Sequence, residues 1–221
     1  MPPRRLQNNS PVKLSASRRK SYHHGNLSAA LVDVTLLLIE EAGPDKVTVR
    51  QVAKRAGVSS GAPFRHFPNR TALMTAVAEQ AMGRFREEIT IALQWTESDD
   101  PLVRLSAMGR AYIHWAIQNP AHFRVISDRS LIDFEGSALL RRQNEEIRAI
   151  MDGLLGEAER RGALRPDALP LLPLALRGLV YGLARMYIDG HLPQWGVAKD
   201  NAEETLKATL DLIVNSLPQS H

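Results

Sequence analysis

Apolar residues recur every three or four positions along most of the chain, which is the spacing of amphipathic helices. This spacing predicts a first helix from Leu27 to about Leu38 that stops at Gly43-Pro44. A longer stripe predicts a helix from Asn69 to about Leu93. No stretch alternates convincingly between apolar and polar residues as a strand would, so the pattern predicts an all-α fold.

Prolines and small polar residues divide the rest of the chain into further helices. Pro is tolerated at the first helical position, because its missing N–H is not needed there. The predicted starts are Asp100-Pro101, Asn119-Pro120, Gly136 or Ser137, about Leu169 and about Asn201. The apolar face predicted for the last helix consists of Leu206, Leu210, Ile213 and Leu217.

Residues 48–67 carry the signals of two short helices joined by a tight turn. Thr48 and Gln51 have the spacing of a capping box, and Gly57 tolerates the left-handed conformation of a helix stop. Ser59 or Ser60 can cap a second helix that ends near residue 67. This order of signals predicts a helix-turn-helix, a motif that places its second helix in the major groove of DNA.

The wider segment, residues 22–82, resembles the DNA-binding domain of the TetR family of bacterial transcriptional regulators. The matching motifs are Gly-Asn-Leu (25–27), Glu-Glu-Ala-Gly (40–43), Thr-Val-Arg-Gln-Val-Ala (48–53), Ala-Gly-Val-Ser (56–59), Phe-Arg-His-Phe (64–67) and Asn-Arg-Thr-Ala-Leu (69–73). The resemblance implies an all-helical homodimer whose C-terminal domain binds a small molecule and thereby controls operator binding. It makes repression the expected sign of regulation.

The sequence and the resemblance together predict three parts. Residues 1–20 are expected to be a disordered basic arm, because they contain six basic residues and no acid. Residues 21–70 would form the helix-turn-helix DNA-binding domain, and residues 71–221 a larger helical domain for effector binding and dimerisation. The arm could enter the minor groove or add only non-specific attraction, and both alternatives stay open.

Roles within the motif follow from position and from the resemblance. Thr48 and Arg50 open the first helix, where a helix N-terminus and a guanidinium can hold a phosphate. Arg65 is the best candidate for contacting O6 and N7 of a guanine, and His66 and Arg70 would lie on flanking phosphates. The predicted DNA-binding residues are Thr48, Arg50, Ser59, Ser60, Gly61, Ala62, Pro63, Phe64, Arg65, His66 and Arg70.

Two of these residues depart from common patterns. Many family members carry Tyr where this chain has Phe64, and Phe has no hydroxyl to donate to a phosphate. Pro63 would confine the recognition helix to a fixed opening turn. Phe64 and Phe67 could then be chiefly core residues, an interpretation that is better supported for Phe67.

The larger domain offers candidates for a ligand pocket. Bulky residues on its predicted helices could line an apolar cavity, although each is more often plain core. The set is Phe85, Met108, Tyr112, Trp115, Phe123, Met151, Arg177 and Tyr181. Arg177 and Arg185 sit in an otherwise apolar helix and need a partner, either an anionic effector or an acid from a neighbouring helix.

The last two helices are the predicted dimer interface. Gly178 and Gly182, four residues apart, allow another helix to approach closely. With the Leu-rich final helix they predict a four-helix interface to which each subunit contributes two helices. If Leu210 met its symmetry mate there, a charge at that position would be costly.

Charge is distributed unevenly along the chain. Residues 1–70 carry twelve Lys or Arg against four acids, whereas the remaining residues carry 16 basic and 20 acidic side chains. This asymmetry favours a nucleic-acid partner for the N-terminal end. The expected partners are double-stranded operator DNA, a small-molecule effector and a second copy of the chain. An architectural or constitutive DNA-binding protein without an effector switch is the alternative.

Composition excludes several other classes. The chain contains no Cys, which removes disulfides, thiol chemistry and Cys-based zinc sites. No Gly-rich phosphate loop, nucleophile motif or metalloprotease motif is present, so no enzyme activity, cofactor or metal is expected. No apolar run reaches the roughly eighteen residues of a membrane span, and the basic N-terminus lacks the apolar segment that is typical of a signal peptide. We therefore expect a cytoplasmic protein.

Overall fold

The computed structural model describes residues 27–164 and 169–217, which form eight α-helices, four short 3-10 segments and no strand. The all-α prediction is confirmed for this part of the chain. The basic arm predicted at residues 1–20 lies outside the described residues. The helices are α1 (Leu27–Ala42), α2 (Val49–Ala56), α3 (Arg70–Gln94), α4 (Pro101–Gln118), α5 (Pro120–Ser127), α6 (Ala138–Arg160), α7 (Leu172–Ile188) and α8 (Ala202–Asn215).

Polar side chains cap the N-termini of three helices at the positions that the sequence predicted. Asn69 Oδ1 accepts a hydrogen bond of 2.8 Å from the N–H of Ala72 at the start of α3. Asp100 does the same for α4, and Ser137 for α6. Each bond satisfies a donor that has no partner within its helix, which stabilises a helix start by about 1 kcal/mol.

The C-terminal helices α4 to α8, here called the body, pack around α4. This helix contacts α3, α5, α6, α7 and α8, so its side chains are enclosed on nearly all sides. Ile113 and Ala116 are fully buried, and Trp115 is nearly so. Because α3 also packs on α4, the long third helix is part of the body's core along its C-terminal half.

Residues 27–70, here called the head, share their core with the body. Leu31, Ile39 and Val52 of α1 and α2 are fully buried with Leu73 at the start of α3. The same cluster includes residues of α5, of the loop that follows it and of the first turn of α6, namely Ala121, Val125, Leu131, Ile132 and Leu140. A shift of α5 therefore acts directly on the packing of the head.

The position of Leu210 corrects the expected face of α8. Leu210 is only 2% exposed, and it packs on α4 so closely that a Cβ at Gly109 would lie 2.6 Å from its Cδ2. It therefore belongs to the core of its own chain, not to a surface that meets a second copy. Leu212, which is 69% exposed, lies on the open side of the same helix.

His122 on α5 lies at the junction of head and body. It is buried, and its Nε2 lies 3.3 Å from Gln80 Oε1 on α3. The pKa of His122 is lowered to about 4, mainly by burial and also by the charge of Arg84, while Asp33 opposes the shift. The folded protein therefore holds a neutral imidazole at the junction at neutral pH.

The pKa of His122 predicts a loss of stability in acid. The unfolded chain takes up a proton as the pH falls below about 6.5, while the folded chain resists until about pH 4. The free energy of unfolding that the neutral imidazole contributes is fully present above pH 6.5 and is lost as the pH falls from 6.5 to 4. About 2 kcal/mol is lost by pH 5. Urea unfolding at pH 7 and pH 5 should show that the free energy of unfolding falls less between the two pH values in His122→Gln than in the native protein. Equal losses would contradict the assignment.

Candidate DNA-binding head and ligand cavity

The first helix of the predicted motif, α2, begins with the expected capping box. The N–H of Thr48 donates to Gln51 Oε1 at 2.9 Å, and the N–H of Gln51 donates to Thr48 Oγ1 at 3.3 Å. The two residues thereby satisfy each other's free main-chain donors. This box fixes where α2 starts and holds the exposed Arg50 in its first turn.

The turn after α2 is built on Gly57. This glycine has φ 71° and ψ 28°, a left-handed conformation that strains any residue with a Cβ. The N–H of Val58 returns to the carbonyl of Ala53 at 3.0 Å, as in a Schellman motif. The half-buried Val58 then packs against the core of the head.

The second arm of the motif differs from the expected helix. Residues 63–65 form only a short 3-10 segment, preceded by a turn. The N–H groups of Ala62, Arg65 and His66 donate to carbonyls three residues back, which is the 3-10 pattern. Pro63 has no N–H to donate to the carbonyl of Ser59 four residues back, so an α-helix capped by Ser59 would lack its first main-chain hydrogen bond.

Exposure separates the predicted DNA-binding residues. Thr48, Arg50, Ser59, Ser60, Gly61, Phe64, Arg65 and His66 are exposed, Ala62 and Arg70 are half-buried, and Pro63 is buried. Phe67 is a core residue of the head, as the sequence indicated. Phe64 is not, because 48% of it is exposed. Six of the exposed residues lie on the turn, on the 3-10 segment or directly after it, and Thr48 and Arg50 lie at the start of α2.

The charges of this surface are mostly uncompensated. Arg50, Lys54 and Arg65 form no ion pair within the described residues, whereas Arg55 pairs with Glu41 at 2.6 Å. Free guanidinium and ammonium groups beside exposed serines are suited to phosphates and base edges. The surface therefore has the polarity and the open charge that double-stranded DNA requires.

Arg70 has main-chain partners inside the head. Its Nε donates to the carbonyl of Val47 at 2.9 Å, and its Nη2 donates to the carbonyl of Pro44 at 2.7 Å. Both carbonyls lie in the connection between α1 and α2, so Arg70 ties the first turn of α3 to the start of the motif. The phosphate contact expected of Arg70 stays a prediction.

A cavity of about 480 Å³ lies within the body, in the range of about 300–1,000 Å³ that is usual for small-molecule sites. Helices α3, α4, α6, α7 and α8 contribute to its wall, together with the loop between α5 and α6. Five of the predicted pocket residues line it: Phe85, Met108, Tyr112, Met151 and Arg177.

Trp115, Phe123 and Tyr181 are not among the lining residues. Trp115 and Phe123 are buried. The ring centroid of Trp115 lies 5.0 Å from that of Phe85, and the centroid of Phe123 lies 6.2 Å from that of Tyr112. Tyr181 stacks on Phe123 at 5.9 Å. These three aromatic residues support the wall from behind, the core role that such residues more often have.

The sequence did not indicate the wall formed by the loop between α5 and α6. Arg129, Ile132 and Phe134 of this loop line the cavity, and the Arg129 guanidinium lies 3.5 Å from the centroid of the Phe134 ring. Periodicity indicates which residues of a helix face inward, but the residues of a loop follow no such period. Arg129 is flanked by Asp128 and Ser130 in the sequence, so it lacked even the apolar surroundings that drew attention to Arg177.

The partner of Arg177 is Tyr112, another residue of the cavity wall. Its Nη1 donates to Tyr112 Oη at 2.6 Å, and its guanidinium lies 4.9 Å from the Tyr112 ring centroid and 5.5 Å from that of Tyr181. Burial raises the pKa of Tyr112, while Arg177 opposes the shift. Arg185, by contrast, pairs with Asp189 on its own helix at 2.7 Å.

The described residues add two observations about other kinds of site. They contain no group of three or more His, Asp or Glu side chains arranged to hold a metal ion. None of their helices is both long and apolar enough to cross a membrane.

A helix-turn-helix head with an open cationic surface, joined by a long helix to an all-helical body with a cavity, defines a class of DNA-binding regulator. Residues 31–77 match the family model "Bacterial regulatory proteins, tetR family". Residues 105–213 match the model "Tetracyclin repressor-like, C-terminal domain". The chain belongs to the TetR family of bacterial regulators, which are non-enzymatic DNA-binding proteins.

Individual relatives are distant. The "HTH-type transcriptional regulator BetI" of Serratia proteamaculans (strain 568) is 32% identical over 78 residues, which are 35% of this chain and only 39% of that protein. The "Nucleoid occlusion factor SlmA" of Vibrio atlanticus (strain LGP32) is 27% identical over 177 residues, 78% of this chain and 87% of that protein.

Among solved structures, a protein of unknown function from Rhodococcus sp. RHA1 superposes with a TM-score of 0.74 at 24% identity. The superposition covers 90% of this chain and all of that one. At this identity the likeness establishes the fold alone.

Proposed function

We propose that the protein is a homodimeric repressor that a small-molecule effector releases from a palindromic operator. The observation that carries the proposal is the placement of α3. Its first residue, Arg70, holds the helix-turn-helix, and Phe85 and Ile89, several turns later, line the cavity. One helix therefore joins the DNA-binding surface to a site of small-molecule size. Such a regulator acts on the chromosome, in the cytoplasm.

The loop between α5 and α6 gives a ligand a second route to the head. The N–H of Asp133 donates to Thr75 Oγ1 on α3 at 2.9 Å, and Ser137 Oγ donates to Glu79 Oε1 at 2.7 Å. Ile132 lines the cavity and is also part of the head's core. A ligand that displaces this loop would move α3 near the head, and the two heads of a dimer would no longer match successive major grooves.

The dimer itself is supported by the open side of α7 and α8. Three leucines there are at least about two-thirds exposed: Leu171 directly before α7, Leu174 of α7 and Leu212 of α8. Gly178 and Gly182 have open space where a Cβ would be, so a second helix could approach closely. An apolar surface of this kind on a helix pair is typical of an interface between identical subunits.

The proposal is tested by measuring operator affinity with and without a ligand. A palindromic site is first selected from random duplexes with the full chain, and compounds are then screened for those that raise the melting temperature. A true effector should lower operator affinity about 5–150-fold, and operator DNA should weaken its binding by the same factor. In Met151→Trp, where the indole fills part of the cavity, operator binding should persist and the response should shrink.

Two outcomes would contradict this function. If the chain binds DNA without preference for any short palindrome, it is an architectural DNA-binding protein. If compounds bind in the cavity and none changes operator affinity, the protein is a constitutive DNA-binding protein, because a ligand with equal affinity for both conformations shifts nothing.

A further inference from the structure

The polar groups of the cavity wall are almost all hydrogen-bond donors. Three arginines, Arg129, Arg148 and Arg177, line it together with Tyr112 and Asn144. Among the described residues that form the wall there is no Asp or Glu. A cavity with this composition carries a positive potential that no acid of its own wall offsets.

Two of these arginines lack a carboxylate partner. Arg148 pairs with Asp152 at 3.4 Å, but Arg129 and Arg177 form no ion pair within the described part of the chain. Their guanidinium groups face aromatic rings instead, Arg129 on Phe134 and Arg177 on Tyr112. The pKa of Arg129 is lowered by burial and also by the charge of Arg177, although Glu135 opposes the shift. The two cations are therefore close enough to repel each other.

Tyr112 adds a neutral donor beside these cations. Its hydroxyl oxygen accepts from Arg177, and the structure gives the hydroxyl hydrogen no acceptor among the described residues. Because burial holds the pKa of Tyr112 above its usual value, the phenol keeps its proton and can donate it. An anionic oxygen within reach of both Arg177 and the Tyr112 hydroxyl would receive hydrogen bonds from a charged donor and a neutral one.

The rest of the cavity is apolar. Phe85, Ile89, Met108 and Val180 are buried members of the wall, whereas Arg129 and Arg177 are among its exposed members. The cavity thus has an apolar interior and a cationic end that opens to solvent. A small hydrophilic anion would leave the interior unfilled, and an apolar molecule without charge would leave the two guanidinium groups unneutralised.

We propose that the cavity binds an amphipathic anion, with an aliphatic body in the apolar interior and a carboxylate between Arg129, Arg177 and the Tyr112 hydroxyl. This inference rests on the cavity being the effector site of the proposed repressor, and it names the chemical class of that effector. A guanidinium pair matches a carboxylate because its donors can bind both oxygens. A cationic ligand of the same shape is disfavoured by the same two charges.

The test compares three ten-carbon compounds by isothermal titration calorimetry with the full chain, each below the concentration at which it forms micelles. Decanoate should bind at least about tenfold more tightly than decan-1-ol, and decylammonium more weakly than either. In the double variant Arg129→Gln, Arg177→Gln, decanoate should lose this advantage while decan-1-ol binds as before. Arg142→Gln removes an exposed charge from α6 that lies outside the wall, and it should keep the preference.

Several results would overturn the proposal. Equal affinity for decanoate and decan-1-ol, tighter binding of decylammonium, or no binding of any of the three would each show that the cavity does not select amphipathic anions. If the double variant still prefers decanoate, the two arginines do not form the anion site. Light scattering of the variant would show whether its subunit association is intact.

Operator titrations on the same preparations separate this inference from the proposed function. A protein that binds its palindrome but has no preference for decanoate keeps its role as a regulator and loses only the ligand class. A protein that binds decanoate through the two arginines without any change in operator affinity keeps the site and loses the switch.

Discussion

A protein with glutamate in place of both Ala175 and Leu212 is expected to be a folded monomer that binds its operator roughly 10²–10⁴-fold more weakly. Both residues are exposed in the single chain, on α7 and α8 respectively, so their replacement should leave the fold of the subunit intact. In a dimer the same positions would bury carboxylates against apolar side chains, which is strongly unfavourable. Without the dimer, the two heads no longer bind two half-sites as one unit.

Light scattering gives the mass, and titrations against a full palindrome and a single half-site give the two affinities. The monomer should bind the half-site as the native protein does, because the head is unchanged. Val103→Glu is the matched control, since Val103 is an apolar residue of α4 that is 46% exposed and lies on a different helix. A double variant that keeps the mass of a dimer would place the interface elsewhere.

Replacement of Arg65 by Ala should weaken binding to the correct operator by about 1–3 kcal/mol and relax the preference at one base position. Arg65 is the exposed last residue of the 3-10 segment and has no ion pair within the described chain. A guanidinium in this position can donate to both O6 and N7 of a guanine. If the variant loses the same affinity for matched and mismatched duplexes, Arg65 contacts a phosphate and not a base.

Arg50 and Arg70 provide the contrast. Arg50→Ala should weaken binding to all sequences alike and flatten the salt dependence, as expected for a phosphate contact. Arg70→Ala should also lower the free energy of unfolding, because the carbonyls of Pro44 and Val47 lose a charged donor. Urea unfolding of the three variants separates a loss of contact with DNA from a loss of head stability.

The elements that sequence reasoning placed well are those with local causes. The Thr48–Gln51 capping box and the left-handed Gly57 depend only on residues a few positions apart. The same is true of the starts of α3, α4 and α6, where one side chain satisfies one nearby N–H. Periodicity gave the first and third helices, because a helix that packs on a core must repeat its apolar face. Prolines and small polar residues gave the starts of the later helices.

What could not be predicted depends on which face of a helix meets which neighbour. Of the stripe predicted for α8, Leu206 and Leu210 are buried, but Ile213 is 40% exposed. Leu210 packs on Gly109, a residue far away in the chain. Arg129 and Phe134 line the cavity from a loop without periodicity. Pro63 was recognised as unusual, yet its effect was larger than expected, because it left the second arm of the motif in a 3-10 conformation.

The shared core at the junction also determines what could be exchanged between proteins of this architecture. The predicted domain boundary at residue 70 falls within the Arg70 contacts and ahead of Leu73, Met74 and Val77, which complete the packing of α1 and α2. A transplant of the first 70 residues onto another body would leave that packing unfinished. A chimera that retains specificity would need the first turns of α3 as well, and a host whose α5 and following loop offer the same apolar surface as Val125 and Leu131. The smallest portable DNA-binding unit of this protein is therefore discontinuous along the chain.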